Sequence, residues 1–133
     1  MMKELIEYTA LELAALVKTK QISAQEVAQA HLQHIHNVDG RPGALDAIPS
    51  PEDEKKVHAF ITHTEETAFR QAEQVDEKIA KGEETGLLAG VPFTVKDIFC
   101  VQGTPSTAAS RILANFTAPY TATPVARMMA SGG

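Results

Sequence analysis

Gly90-Val-Pro-Phe-Thr-Val-Lys-Asp-Ile-Phe-Cys-Val101 sets a lysine, Lys96, inside an otherwise apolar, β-prone run. With Leu87 the run is apolar on both faces, which predicts a strand inside a sheet covered on both sides. Pro92 lacks an amide donor and marks the strand's start or a locally unpaired position. By alternation Lys96 shares a face with Thr94 and Ile98, toward the C-terminal end of the run, where open α/β sheets build their sites. A buried ammonium costs several kcal/mol unless it is paired or gives up its proton, and neutral lysine is a good base. The position predicts a catalytic base, while a lysine that snorkels from a strand end into solvent fits the same pattern.

Upstream, the sequence alternates helix signals with a second β-prone run. Thr9-Ala-Leu-Glu12 and Ser23-Ala-Gln-Glu26 each have the form of a capping box. They predict a short helix from about Ala10 to Thr19 and a longer one closed by Asp39-Gly40. Val27, Ala28, His31, Leu32, Ile35 and Val38 form the stripe of the second. Residues 40–56, with three prolines and the Pro-Glu-Asp-Glu-Lys-Lys cluster, read as an exposed loop. Val57 to Thr62 predicts a short strand. Thr64 then caps a helix with Ala68, Ala72, Val75 and Ile79 on one face and Gly82 beyond it. A helix between two strand-like runs is a crossover unit, so the fold class is α/β. Beyond Gly103 a hydroxyl-rich stretch reads as irregular backbone, and Thr123-Pro124 reads as a cap and first-turn proline.

Composition narrows the setting. The 133 residues carry 44% hydrophobic content, enough for one small core. A net charge of -5, with the basic residues scattered, argues against a nucleic-acid contact as this segment's main role. One cysteine forms no internal disulfide, and no apolar stretch has the length of a membrane span, so a reducing cytoplasm is the expected compartment.

Other chemistry-bearing residues have simpler readings. Cys100, four residues after Lys96, reads as a buried small hydrophobe rather than a thiol nucleophile. Ser106 and Ser110 read as local hydrogen-bonding residues. His31, His34 and His36 do not share one helix face and have no cysteine or carboxylate ligands at fixed spacing, so no metal set is predicted. Glu52 to Glu54 read as solvated loop.

Gly86-Leu-Leu-Ala-Gly-Val-Pro-Phe-Thr-Val-Lys-Asp97, then Gly103-Thr-Pro-Ser-Thr-Ala-Ala-Ser-Arg-Ile-Leu113, then Ala118-Pro-Tyr-Thr-Ala-Thr123 resemble the lysine-bearing segment of the amidase signature family in order and spacing. Within the family, Ser110-Arg-Ile-Leu113, Phe116 and the Pro-Tyr-x-Ala-Thr block most resemble the glutaminase subunit of tRNA-dependent amidotransferases. The resemblance implies a layered α/β/α fold with a mixed sheet. Residues 1–39 would be a helical lead-in, 40–56 a loop and 57–133 the start of the α/β core.

It also implies a Ser-cisSer-Lys relay in which Lys96 is the terminal base and a serine attacks the amide. Ser106 and Ser110 match the family's threonine-rich stretch and not its serine-bearing loop. The chain ends at Ser131-Gly132-Gly133 before that loop, so these 133 residues alone are expected to be inactive, with an unpaired sheet edge and poor solubility. By resemblance the substrate is glutamine, and the ammonia goes to Glu-tRNA(Gln) or Asp-tRNA(Asn). Subunits B and C are the implied partners, tRNA is held mainly by a partner, and ATP and magnesium act in the partner subunit. This chain is expected to bind no cofactor, no metal and no membrane. A stand-alone amidase on another small amide and a truncated, non-catalytic product remain the alternatives.

Overall fold

The computed structural model describes residues 3–40, 48 and 50–133. Both capping boxes form, and they start helices α1 (Ala10–Lys18) and α2 (Ala24–Asp39). At α1 the Glu12 amide donates to Thr9 Oγ1 at 3.3 Å while the Thr9 amide donates to the Glu12 carboxylate at 2.7 Å. At α2 the corresponding pair, Ser23 and Glu26, closes at 3.0 and 2.7 Å. Gly40 ends α2 with φ 83°. Helix α3 (Glu65–Ala80) follows, with Thr64 in the cap position but no side-chain cap bond. Helix α4 is Thr123–Ala130, so Ala122 holds the cap position and Thr123 lies one residue further in than the Thr-Pro signal suggests.

Helices α2 and α3 pack antiparallel, which two polar contacts at opposite ends make plain. Asp76, late in α3, accepts from the Ala24 and Gln25 amides at 2.7 and 3.1 Å and so satisfies the open N-terminus of α2. Glu65, at the start of α3, meets His36 near the end of α2. The core between them is made by Leu13, Ala14, Val17, Ala24, Val27, Ala28, Ala72 and Val91, with Phe69, Ile79 and Leu88 packed against it. Small residues dominate, so the helix backbones approach closely and the lysine-bearing segment enters the core through Val91. At Gly90 (φ +71°) the chain passes so near α2 that an added Cβ would sit 2.7 Å from the Ala24 methyl.

The predicted strands differ from what forms. Residues 57–62 and 87–101 are extended or turn backbone, and among the described residues the one β pairing is an isolated antiparallel bridge between Pro105 and Thr117. The mixed sheet is therefore absent from the described residues. The reason is physical: β-prone side chains favour an extended backbone, but a strand exists only when a neighbour takes up its amides and carbonyls. The alternation itself is present. Val91, Phe93, Val95 and Asp97 are buried or half-buried, whereas Pro92, Thr94, Lys96 and Ile98 are exposed.

The 40–56 loop is also more structured than its composition suggests, although residues 41–47 and 49 lie outside the described residues. Asp53 starts a 3-10 turn, Asp53–Lys55, and is buried rather than solvated. Its carboxylate accepts from the Ser50 amide at 2.9 Å and from the Ser50 hydroxyl at 2.8 Å. His58 Nε2 meets the Asp53 carbonyl oxygen at 2.6 Å. The buried Asp39 is likewise satisfied, accepting from the Ala59 and Phe60 amides 20 and 21 residues on.

Candidate active site

Lys96 ends the extended segment. Its carbonyl accepts from the Phe99 amide at 2.9 Å, turning the chain immediately after it. The side chain stands on the exposed face and has no hydrogen-bond or ion-pair partner among the described residues. This corrects the expectation of a strand covered on both sides, since the described residues pack only the Val91, Phe93 and Val95 face.

The neighbouring Asp97 is the anchor, a role that the sequence pattern did not separate from that of the lysine. Its carboxylate accepts from the Thr107 amide at 2.8 Å, from the Thr107 hydroxyl and from the Ala109 amide at 3.2 Å. Its carbonyl accepts from the Ala108 amide at 3.0 Å and the Ser106 hydroxyl at 3.3 Å. Ala108 and Ala109 both hold left-handed backbone, φ 48° and 56°, which aims successive amides at the aspartate. Each left-handed alanine costs about 1–2 kcal/mol, and the converging hydrogen bonds offset it. The effect is to clamp the hydroxyl-rich loop against the lysine-bearing segment. The signal that could have found it is Asp97 followed by a Ser-Thr pair ten residues on, a spacing with no periodic meaning.

Burial alone would push the Asp97 carboxyl up, but the hydrogen bonds from Thr107 and Ala109 outweigh it and hold the group below its ordinary value. A lowered folded-state value stabilises the fold above the unfolded value, and that stability is lost as pH falls through the lowered one. Acidification below about pH 4 therefore loosens the clamp. Asp97→Asn should be less stable than the parent at neutral pH yet lose less stability on acidification, as read by urea midpoints across pH. Parallel curves for the two proteins would sink the linkage.

Ser106 is buried and Ser110 half-buried, and neither is hydrogen-bonded to Lys96. Ser106 donates its hydroxyl to the Asp97 carbonyl and its amide to the Phe116 carbonyl at 3.2 Å, in keeping with the local role read from sequence. Cys100 is half-buried, not fully buried. A hydrogen bond with its thiol, followed by the thiol's charge and by burial, pushes the Tyr120 hydroxyl up. Of the three α2 histidines, His36 is the one that enters a grouping of possible metal ligands among the described residues. It meets His63 and Glu65 from another element, a grouping invisible in local spacing. Among the described residues no helix is long and apolar enough to cross a membrane.

An extended lysine-bearing segment clamped through an aspartate to a threonine-rich loop lies within the span, residues 51–133, matched by the Amidase family model. The chain belongs to the Amidase family. It is 40% identical over 131 residues to the A subunit of glutamyl-tRNA(Gln) amidotransferase from Cutibacterium acnes, covering 98% of this chain and 23% of that protein. The protein of the same name from Salinispora tropica is 43% identical over 131 residues, covering 98% and 24%. The chain thus spans about a quarter of the length of these curated relatives. Among solved structures, a chain from a vestigial complex described for the evolutionary origins of an s-triazine catabolic enzyme superposes with TM-score 0.76 at 28% identity. That match covers 94% of this chain and 24% of the other.

Proposed function

We propose that these residues form the lysine-bearing part of a glutaminase subunit of a tRNA-dependent amidotransferase. Lys96, as neutral amine, takes a proton through a bridging serine from a nucleophilic serine. The nucleophile attacks the glutamine amide, ammonia leaves, and water hydrolyses the acyl-enzyme to glutamate. The two serines of this Ser-cisSer-Lys relay come from outside the 133 residues. The ammonia amidates Glu-tRNA(Gln), or Asp-tRNA(Asn), on a partner subunit that uses ATP and magnesium, and subunits B and C are the partners on this reading.

One observation carries the role of Lys96. Alternation turns it away from the packed Val91, Phe93 and Val95 face, while the Asp97 clamp fixes the backbone beneath it. A lysine so held is accessible to a reaction partner without loss of core. Ile98 and Phe99 beside it and Ile112 in the following loop are exposed, which favours a further layer over this face. That layer would pair residues 91–96 into the mixed sheet and supply the desolvation that a neutral lysine needs. The 40% identity over 98% of the chain supports glutamine as substrate.

The test is a graft of these 133 residues in place of the matching segment of the Cutibacterium acnes relative, followed by measurement of ammonia release from glutamine. The chimera is expected to be active and the isolated chain inactive. A folded but inactive chimera, or Lys96-dependent ammonia release by the isolated chain, would overturn the proposal. The alternative, a stand-alone amidase on another small amide, predicts turnover indifferent to partner subunits.

A further inference from the structure

The last turn of α2 and the first turn of α3 meet at two imidazoles and a carboxylate that the amide chemistry does not use. His36 Nε2 lies 3.0 Å from Glu65 Oε1, and His63 Nδ1 lies 3.6 Å from the same oxygen. One ligand atom from each residue lies within 4.8 Å of the other two. The rings of His36 and His63 stand edge to face with centroids 5.3 Å apart, and Phe60 packs on His63 in the same manner at 5.5 Å.

His63 is the informative member. Its side chain is only 10% exposed, and its Nε2 has no hydrogen-bond partner. Its Nδ1 is too far from Glu65 for a hydrogen bond. As a ligand atom, Nδ1 gains a partner in an ion shared with Glu65, whereas a buried imidazole nitrogen left without one costs about 1–3 kcal/mol. The surroundings are rigid. Asp39 holds the Ala59 and Phe60 amides on the linker that delivers His63, and Asp76 fixes the far end of the α2–α3 pair.

We propose that His36, His63 and Glu65 form a three-ligand site for a late first-row divalent cation, with zinc as the reference ion. Two imidazoles and a carboxylate suit zinc and its neighbours, whereas calcium and magnesium take oxygen ligands. Bonds of about 2.0–2.2 Å in a tetrahedron put ligand atoms roughly 3.3–3.6 Å apart. The two separations measured to Glu65 Oε1, 3.0 and 3.6 Å, lie around that spacing, and all three ligand atoms fall within 4.8 Å of one another. Adjustment to a tetrahedron falls to the His36 and Glu65 side chains, which are 44% and 39% exposed. A cleft of about 470 Å³, lined by residues 62–67 and 103–105, gives the fourth position access to solvent. A bound ion ties the end of α2 to the start of α3.

Zinc titration of the full chain by calorimetry, with cobalt(II) absorption as the geometric readout, tests the site. One zinc per chain should bind with a micromolar or tighter Kd, and cobalt should give the intense visible bands of a four-coordinate ion. Zinc should also raise the Tm. His36→Ala, at an exposed position, and Glu65→Gln, at a half-buried one, should each weaken binding about tenfold or more and abolish the Tm shift. His63→Gln should do the same, with circular dichroism confirming its fold. His34→Ala, on the same helix but outside the cluster, should leave binding unchanged. Absence of saturable zinc binding would overturn the site, as would binding indifferent to His36→Ala and Glu65→Gln. An equal loss with His34→Ala would also overturn it, by assigning the metal to the histidines of α2 alone.

Discussion

Lys96→Ala lowers kcat for glutamine about 10²–10⁴-fold in an amidase carrying these residues, the range for loss of a positioned general base. KM changes little, because on the proposed relay the amine touches a serine hydroxyl and not the substrate. Lys96→Arg fails to rescue the rate, since a guanidinium does not give up its proton. The fold of the isolated 133 residues is indifferent to both changes. Lys96 is exposed and has no partner among the described residues, and substitutions at such positions stay within about 0.5 kcal/mol. The activity and stability readouts are thereby separated: ammonia release by the amidase collapses while the unfolding midpoint of the isolated 133 residues, where Lys96 is uncovered, holds. A Lys96→Ala chimera with near-parental kcat would remove the lysine from the mechanism, whatever the family resemblance implies.

What could be read from the sequence divides by the range of the interactions involved. The starts of α1 and α2 were legible because a capping box closes within four residues, and the Thr9–Glu12 and Ser23–Glu26 bonds form as spaced. The second anchor of the α2 N-terminus was not legible, since Asp76 reaches it from 52 residues away. Lys96 was legible as an anomaly in an apolar run, and its face relative to Thr94 and Ile98 followed from alternation. Its burial was not, because covering a strand depends on neighbours that composition does not specify. Asp97 sat in plain view beside it, but its function comes from Thr107 and Ala109, ten and twelve residues on, and from two left-handed alanines that no propensity predicts. The burial of Asp39 was not legible for the same reason, since the Ala59 and Phe60 amides that satisfy it lie 20 and 21 residues on, whereas Asp53 is satisfied by Ser50 three residues away, a local signal masked by the charged cluster around it.

Gly90→Ala carries a large expected cost to stability, and its origin can be separated into two parts. The backbone there is left-handed at φ +71°, which costs an alanine about 1–2 kcal/mol. The added methyl would also lie 2.7 Å from Ala24 Cβ and 3.1 Å from Val17 Cγ1, both in the core. Forcing a methyl into a packed interior adds about 1–3 kcal/mol. Retreat is blocked, because the Gly90 amide is bonded to the Gly132 carbonyl at 2.8 Å and the next residue, Val91, is itself buried. The total is on the order of 3 kcal/mol, a large share of the stability of a small domain. Gly82→Ala is the internal control, since Gly82 has nearly the same φ, +72°, and nothing within 4 Å of the added Cβ. Urea unfolding of both variants at constant m isolates the packing part as the excess loss at Gly90. Equal losses at the two glycines would mean that the segment bearing Lys96 is not wedged against α1 and α2, and the mount proposed for the lysine would fail with it.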